Sequence, residues 1–192
     1  MLGPVPLAAH ACLINFVWLF YMLPYAIGLA GTIRVGNLLG EGDPARARAT
    51  ARTASLINVV TAAVFIACIL AAKDVFPYVY VSEEAVAAMS SALAPAFLVM
   101  FSFDAVNMTI VGSIRGAGRQ VFVTKLSVVQ SYVVALPVAA GLAFYTDLGL
   151  LGIWIGLGSG VVTASLGGAW YLFYRLDWPE ASELARKRAA LG

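Results

Sequence analysis

Asp104 is the one carboxylate set deep inside an apolar run. The run, AVAAMSSALAPAFLVMFSFDAVNMTIVGSIRGAG from Ala85 to Gly118, has a middle long enough to cross a bilayer and two arginines at its end. A carboxylate at membrane depth costs about 2.5–3.5 kcal/mol on insertion scales, and a chain that keeps one generally uses it for a proton, an ion or a charged ligand. Desolvation disfavours the ionised form of a carboxyl. A group that takes up and releases a proton can also pair with a cationic solute. Proton and solute then compete for one site, which is sufficient for antiport. Asn107, three residues on, shares the helical face of Asp104, whereas Thr109, five on, is turned well away. Pro95 lies nine residues earlier and is expected to bend the upper half of this helix.

Other polar residues inside apolar runs form a second tier. Asn15, Tyr21 and Tyr25 stand in the first run, and Gln130, Ser131 and Tyr132 in the fourth. With Asn107, the residues Asn15, Tyr21, Tyr25, Gln130 and Tyr132 are candidate cavity-lining positions. Asn15 reads first as a hydrogen-bonding residue between helices and second as a cavity-lining one. Asn58 and Thr61 are the strongly polar positions of the second run, which reads as a packing helix. His10 is the single histidine, and Cys12 and Cys68 have no CxxC neighbour. No metal site or disulfide framework is expected from these, and no cofactor. No nucleophile–base pair stands out, so an enzyme is not expected. The glycines of RVGNLLGEGDP superficially suggest a phosphate loop, but no GK[ST] follows and no strand precedes them.

Composition says what must carry these residues. Of the 192 residues, 61% are hydrophobic and 11% charged, with a mean hydropathy of +0.89. A soluble domain has about 25% charged residues, so the class is integral membrane protein. A net charge of +2 implies no nucleic-acid partner. The apolar runs are continuous rather than alternating, which favours helices over barrel strands. Five of them, at about 7–33, 54–72, 86–114, 122–145 and 148–174, each have the ~20 residues a span requires. The expected fold is an all-α polytopic membrane bundle over 1–175, followed by a cytoplasmic tail over 176–192. Eleven of the twelve lysines and arginines fall on one side of such a bundle. The positive-inside rule makes that side cytoplasmic, with the N-terminus outside or lumenal and the C-terminus inside. Met1 to Ala9 carries no charge, so no signal peptide is expected, and the chain reads as beginning in a short loop of a longer protein.

Local signals refine the elements. Pro24 and Pro137 predict kinks in the first and fourth spans. Gly36, Asn37, Gly40 and Gly42 are expected to break the helix after the first span, with Asp43 and Pro44 starting the next. Tyr78 and Tyr80 are placed at the outer interface, and Trp154 and Trp178 near opposite interfaces as anchors. In the fifth span Gly152, Gly156, Gly160, Ala164 and Gly168 recur every four positions, a ridge for close helix packing.

Two blocks carry a family resemblance. YMLPYAIGLAGTIRVGNLLGEGDPARARA (Tyr21 to Ala49) and FDAVNMTIVGSIRGAGRQ (Phe103 to Gln120), supported by Tyr132, Pro137 and GIWIGLGSG, resemble the multidrug and toxic compound extrusion (MATE) transporters, most closely the eukaryotic, plant-like branch. The resemblance covers essentially the whole chain. It implies twelve helices in two six-helix lobes and exchange of organic solutes for protons or sodium. This chain then corresponds to the last five helices of the C-terminal lobe, lacking that lobe's first helix. In that branch an acidic residue on helix ten pairs with a glutamate on helix seven as the proton site. Asp104 falls at the helix-ten position and Tyr132 in the helix-eleven wall of the same cavity. The helix-seven glutamate has no counterpart here. Asn107 stands where glutamine is more usual, and Ser113-Ile114-Arg115 departs from the usual Gly-Val-Ala-Arg.

The reading that follows is a proton-coupled exporter of organic cations or xenobiotics, in a plasma or vacuolar membrane, here as a partial chain. Its implied partners are a small organic solute, protons, the lipid bilayer and a missing N-terminal lobe, and the complete protein is expected to be monomeric. The alternative is a truncated, non-transporting membrane protein that associates with a full-length relative through the glycine ridge. A lipid-intermediate flippase would be expected to carry basic residues at membrane depth, and this chain has none there.

Overall fold

The computed structural model describes residues 3–190, and for Leu19 and Phe20 the backbone alone. The described residues form helices joined by short turns. Four helices are long and apolar enough to cross a membrane, and a fifth qualifies when its two bent halves are taken as one span. The helical membrane bundle of about five spans read from the sequence is therefore the fold observed.

Helix α1 runs from Pro4 to Gly40. Its halves, Pro4–Trp18 and Tyr21–Gly40, meet at 47°. The bend lies one turn before Pro24, whose ring displaces the carbonyl four residues earlier and offers no N–H in return. The sequence reading broke this helix too early, since Gly36 and Asn37 lie inside it. The break comes at Gly42, which takes a φ of +87° that side chains avoid. Asp43 then caps helix α2 (Pro44–Ala72) by accepting from the Arg46 backbone N–H at 2.9 Å, with Pro44 in the first turn. A single 3₁₀ turn, Phe76–Val79, leads to α3 (Glu84–Gly116). Tyr78 and Tyr80 are exposed there.

Helix α4 spans Gln120–Tyr145 and α5 spans Gly149–Arg175. The middle of α4, Val129–Ala135, is wound as a π-helix, and the Leu136 N–H reaches Ser131 O five residues back. Pro137 lacks the N–H that would continue the tighter ladder, so a shifted register is a local solution. A last amphipathic helix, α6 (Trp178–Ala189), is capped by Asp177, which accepts from the Glu180 N–H at 2.9 Å.

Two close seams hold the bundle. Lipid is as apolar as leucine, so helices associate through tight packing and hydrogen bonds rather than through expulsion of water. On α1, Gly28, Thr32 and Gly36 are spaced by four; on α3, Met108, Gly112 and Gly116 match them. A Cβ added at Gly112 would strike Thr32 Oγ1 and sit 2.9 Å from Gly28 O, and one at Gly28 would sit 3.2 Å from the Met108 backbone. The second seam is the glycine ridge of α5. A Cβ at Gly156 would run into the Ala139 backbone of α4, one at Gly160 would lie 2.7 Å from Ala135 Cβ and Gln130 O, and one at Gly152 would lie 3.0 Å from Leu142. Gly168 faces Ile110 of α3 instead. The ridge is thus occupied within the chain and is not a free face for a relative.

Apolar side chains collect in two cores. At the arginine-rich end, Val35, Leu39, Ile110, Ile114 and Leu172 pack with Trp178. At the opposite end, Leu13, Val17, Phe76, Phe97 and Trp154 pack together. Trp154 and Trp178 are therefore core residues rather than interface anchors. Trp154 is fixed by Phe97 (ring centroids 4.2 Å) and by His10 (5.0 Å). The segment after α5 folds back onto the bundle: Ser182 Oγ donates to Leu39 O at 2.9 Å, and Arg119 pairs with Glu180 at 2.6 Å. Along α3, Asp104 falls between the two cores.

Candidate functional site

The site joins two helices. α3 supplies Asp104, half-buried, and the straight half of α1 supplies Tyr21 immediately after the bend. The Tyr21 hydroxyl donates to Asp104 Oδ2 at 2.6 Å. That length lies in the normal range for a hydroxyl–carboxyl hydrogen bond. The Tyr21 ring is held edge-on by Phe101 (6.0 Å, 86°) and Trp18 (5.7 Å, 79°). These contacts leave the phenol little rotational freedom, so the hydroxyl is aimed at the carboxylate.

A small cavity of about 30 Å³ opens beside the pair, lined by Val17, Tyr21, Pro24, Ile66, Leu98 and Ser102 among others. Its wall is almost wholly apolar, the kind of space that stays dry. Ser102, among its lining residues, donates its Oγ to Leu98 O at 2.6 Å.

The other candidate residues fall in different places. Asn107, on the Asp104 face, is buried and its Oδ1 has no hydrogen-bond partner among the described residues. Asn15 is exposed and donates to Ala11 O of its own helix at 2.9 Å. Tyr25 and Tyr132 are exposed, at 50% and 68%. Gln130 is partly buried in the π-wound turn, where its carbonyl approaches Gly160. Tyr21 alone among the six cavity-lining candidates hydrogen-bonds Asp104 in the described residues. Cys12 is buried and Cys68 exposed, and neither is in a disulfide.

Asn58, a polar position of the packing helix α2 in the sequence, has partners the sequence does not reveal. It is fully buried, and its Nδ2 donates to two backbone carbonyls on other helices: Pro24 O of α1 at 3.1 Å and Ala105 O of α3 at 3.0 Å. Its own signal was an amide in an otherwise apolar run. Its partners lie 34 and 47 residues away and leave no local pattern. The α1–α3 seam was passed over, although Gly28-x₃-Thr32-x₃-Gly36 and Gly112-x₃-Gly116 show the spacing that revealed the α5 ridge.

A carboxylate paired across a kinked helix in an apolar bundle defines a class, the polytopic helical membrane proteins with an intramembrane acidic site. Comparison with known proteins narrows it. A family model described as MatE matches residues 1–140, and the chain belongs to that family. Over 193 residues it is 32% identical to multidrug and toxin extrusion protein 1 of Oryctolagus cuniculus, covering 100% of this chain and 34% of the relative. Over 187 residues it is 33% identical to multidrug and toxin extrusion protein 2 of Mus musculus, covering 96% and 32%. The fold superposes on the crystal structure of the eukaryotic MATE transporter AtDTX14 with a TM-score of 0.91 at 28% identity, covering 96% of this chain and 41% of that one. The chain thus spans about a third of the length of the curated relatives it matches. It is an integral membrane protein of the MATE type.

Proposed function

We propose that this chain forms the C-terminal part of a secondary antiporter that exports organic cations or xenobiotics in exchange for protons, with Asp104 carrying the exchanged proton. The observation that carries the reading is the Tyr21–Asp104 hydrogen bond, half-buried between two apolar cores. In the ionised state Asp104 is an acceptor for Tyr21. A proton on the carboxyl cancels its charge and weakens that bond, because a charge-assisted pair becomes a neutral one. Tyr21 sits at the bend of α1, so the proton on Asp104 and the position of α1 are linked. A cationic solute beside Asp104 would favour the ionised form and displace the proton. Exchange follows from one carboxylate serving both.

Alternating access requires a second repeat to move against this one. The N-terminal lobe is therefore the necessary partner, and the complete protein works as a monomer. The arginine-rich end, with Arg46, Arg48 and Arg52 and the basic end of α6, faces the cytoplasm by the positive-inside rule, in a plasma or vacuolar membrane. The reading requires no cofactor and no catalytic step.

The test uses the full-length transporter that carries this sequence, reconstituted in vesicles with an imposed pH gradient and loaded with a fluorescent organic cation. Asp104→Asn is expected to abolish gradient-driven movement while leaving protein abundance unchanged. Undiminished movement would remove Asp104 from the mechanism.

A further inference from the structure

Asn58 sits outside the proton pair yet touches both of the helices that make it. Its carboxamide divides two N–H groups between Pro24 O and Ala105 O. Ala105 directly follows Asp104. Pro24 lies three residues after Tyr21, in the turn that follows the 47° bend of α1. One side chain on α2 therefore pins the turn that carries the phenol to the turn that carries the carboxylate. Both carbonyls already belong to helices, where each accepts the ladder bond from four residues on. The amide uses their second lone pairs, so the bonds to Asn58 exist to locate the helices and are not needed to build them.

Neither of the other lateral links could replace this one. Ser165 Oγ donates to Phe103 O at 3.0 Å and ties α5 to α3, leaving α1 free. The Gly28–Gly112 approach joins α1 to α3 more than one turn further toward the arginine-rich end. Between that approach and the core at the opposite end, Asn58 is, among the hydrogen bonds of the described residues, the polar tie of α1 to α3 beside the Tyr21–Asp104 bond itself. Its Oδ1 has no hydrogen-bond partner among the described residues and its side chain is fully buried. A leucine of similar shape would pack at least as comfortably in this apolar setting.

We infer that Asn58 is a positioning residue for the proton site, holding the bent turn of α1 against α3 so that the Tyr21 hydroxyl reaches Asp104. The inference rests on the proposed role of Asp104 for its consequence in transport, and on the hydrogen bonds alone for its consequence in geometry. Asn58 touches neither the proton nor a solute. It acts through Tyr21.

The test has two readouts on the full-length transporter. The first is the infrared carboxyl signal of Asp104, assigned by its disappearance in Asp104→Asn. In Asn58→Leu, which keeps the shape and removes both donors, the band is expected to move to the position it takes in Tyr21→Phe. The second is gradient-driven efflux. Asn58→Leu and Tyr21→Phe are each expected to lower it by about three- to tenfold, the range set by interhelical hydrogen bonds in membranes. The double variant should be no slower than either, because both changes break the same contact. If Asn58→Leu does not assemble, Asn58→Thr, with one donor left, is expected to give an intermediate band shift and an intermediate rate.

An unmoved Asp104 band in either variant, or losses that multiply in the double variant, would overturn the inference. Failure of the underlying reading looks different. There Asp104→Asn keeps gradient-driven efflux while the band still moves with Asn58, which supports the positioning role and removes its link to transport.

Discussion

Helices α3 and α4 are of comparable apolarity but are used in opposite ways. α3 buries side chains from Val86 to Ile114 and contacts α1, α2 and α5, while of the described residues of α4 only Val123, Ala135 and Ala139 are buried. The carboxylate sits on the packed helix, where its partner can be fixed to a few tenths of an ångström. The polar residues of α4, Gln130, Ser131 and Tyr132, sit on the helix that is held along one side. For the proposed proton site this means a defined donor, Tyr21 of α1, held against an apolar wall shared by α1 and α3. α4 presents Tyr132, Val133 and Leu136 outward, in and just after its π-wound turn.

The sharpest way to break that contrast is to disturb the seam that fixes α3. Gly112→Val would drive a side chain into Thr32 and the Gly28 carbonyl. Backbone on the other side cannot yield, so the change should cost about 3 kcal/mol, at the upper end for overpacking. Thermal inactivation in detergent would show it as a large loss of folded protein. Gly141→Ala on α4 is the counterpart: nothing lies within 4 Å of the added methyl. It should stabilise the helix by about 0.5–1 kcal/mol, the usual gain of alanine over glycine. Equal losses for the two would show that α3 is no more constrained than α4.

A smaller change removes the polar contact and leaves the packing. Tyr21→Phe keeps the ring contacts with Phe101 and Trp18 and deletes the hydroxyl. Loss of an interhelical hydrogen bond in a membrane protein amounts to about 0.6–1.7 kcal/mol, so thermal stability should fall. Below the titration range of Asp104 the acceptor is no longer charged, and the difference between Tyr21→Phe and the parent should shrink. A difference that stays constant with pH would mean that the bond does not depend on the charge of Asp104.

The smallest effect belongs to the clasp at the arginine-rich end. Arg119 and Glu180 pair at 2.6 Å but remain 29% and 54% exposed. Arg119→Ala should therefore cost about 0.5 kcal/mol, as exposed pairs do, and high salt should erase most of it. A loss of several kcal/mol would mean that α6 is held mainly by this pair rather than by buried Trp178 and the Ser182 bond to Leu39.

These differences also mark what a sequence can carry. The spans were legible because apolar length is a local property, and the start of α2 was legible because Asp43-Pro44 is a cap written in two adjacent residues. Asp104 stood out because a carboxylate in hydrocarbon is costly wherever its neighbours lie. Its bond to Tyr21 was not legible, since 83 residues separate the two and several phenols were equally placed. The partners of Asn58 were not legible for the same reason: they are backbone carbonyls, which every residue has. Trp154 and Trp178 looked like interface anchors because a tryptophan near the end of an apolar run usually is one; here the rings fill the two cores. Gly36 and Asn37 were weighted as helix breakers on intrinsic preference, and packing against Gly116 of α3 overrode it.

The account stands or falls on whether Asp104 exchanges a proton for the solute. The most direct measurement is proton release from the purified full-length transporter, followed with a pH indicator in weakly buffered detergent as an organic cation is added. The account predicts that binding releases protons in the parent and releases none in Asp104→Asn. Release of the same size in both would contradict it, and would place the exchanged proton on another group.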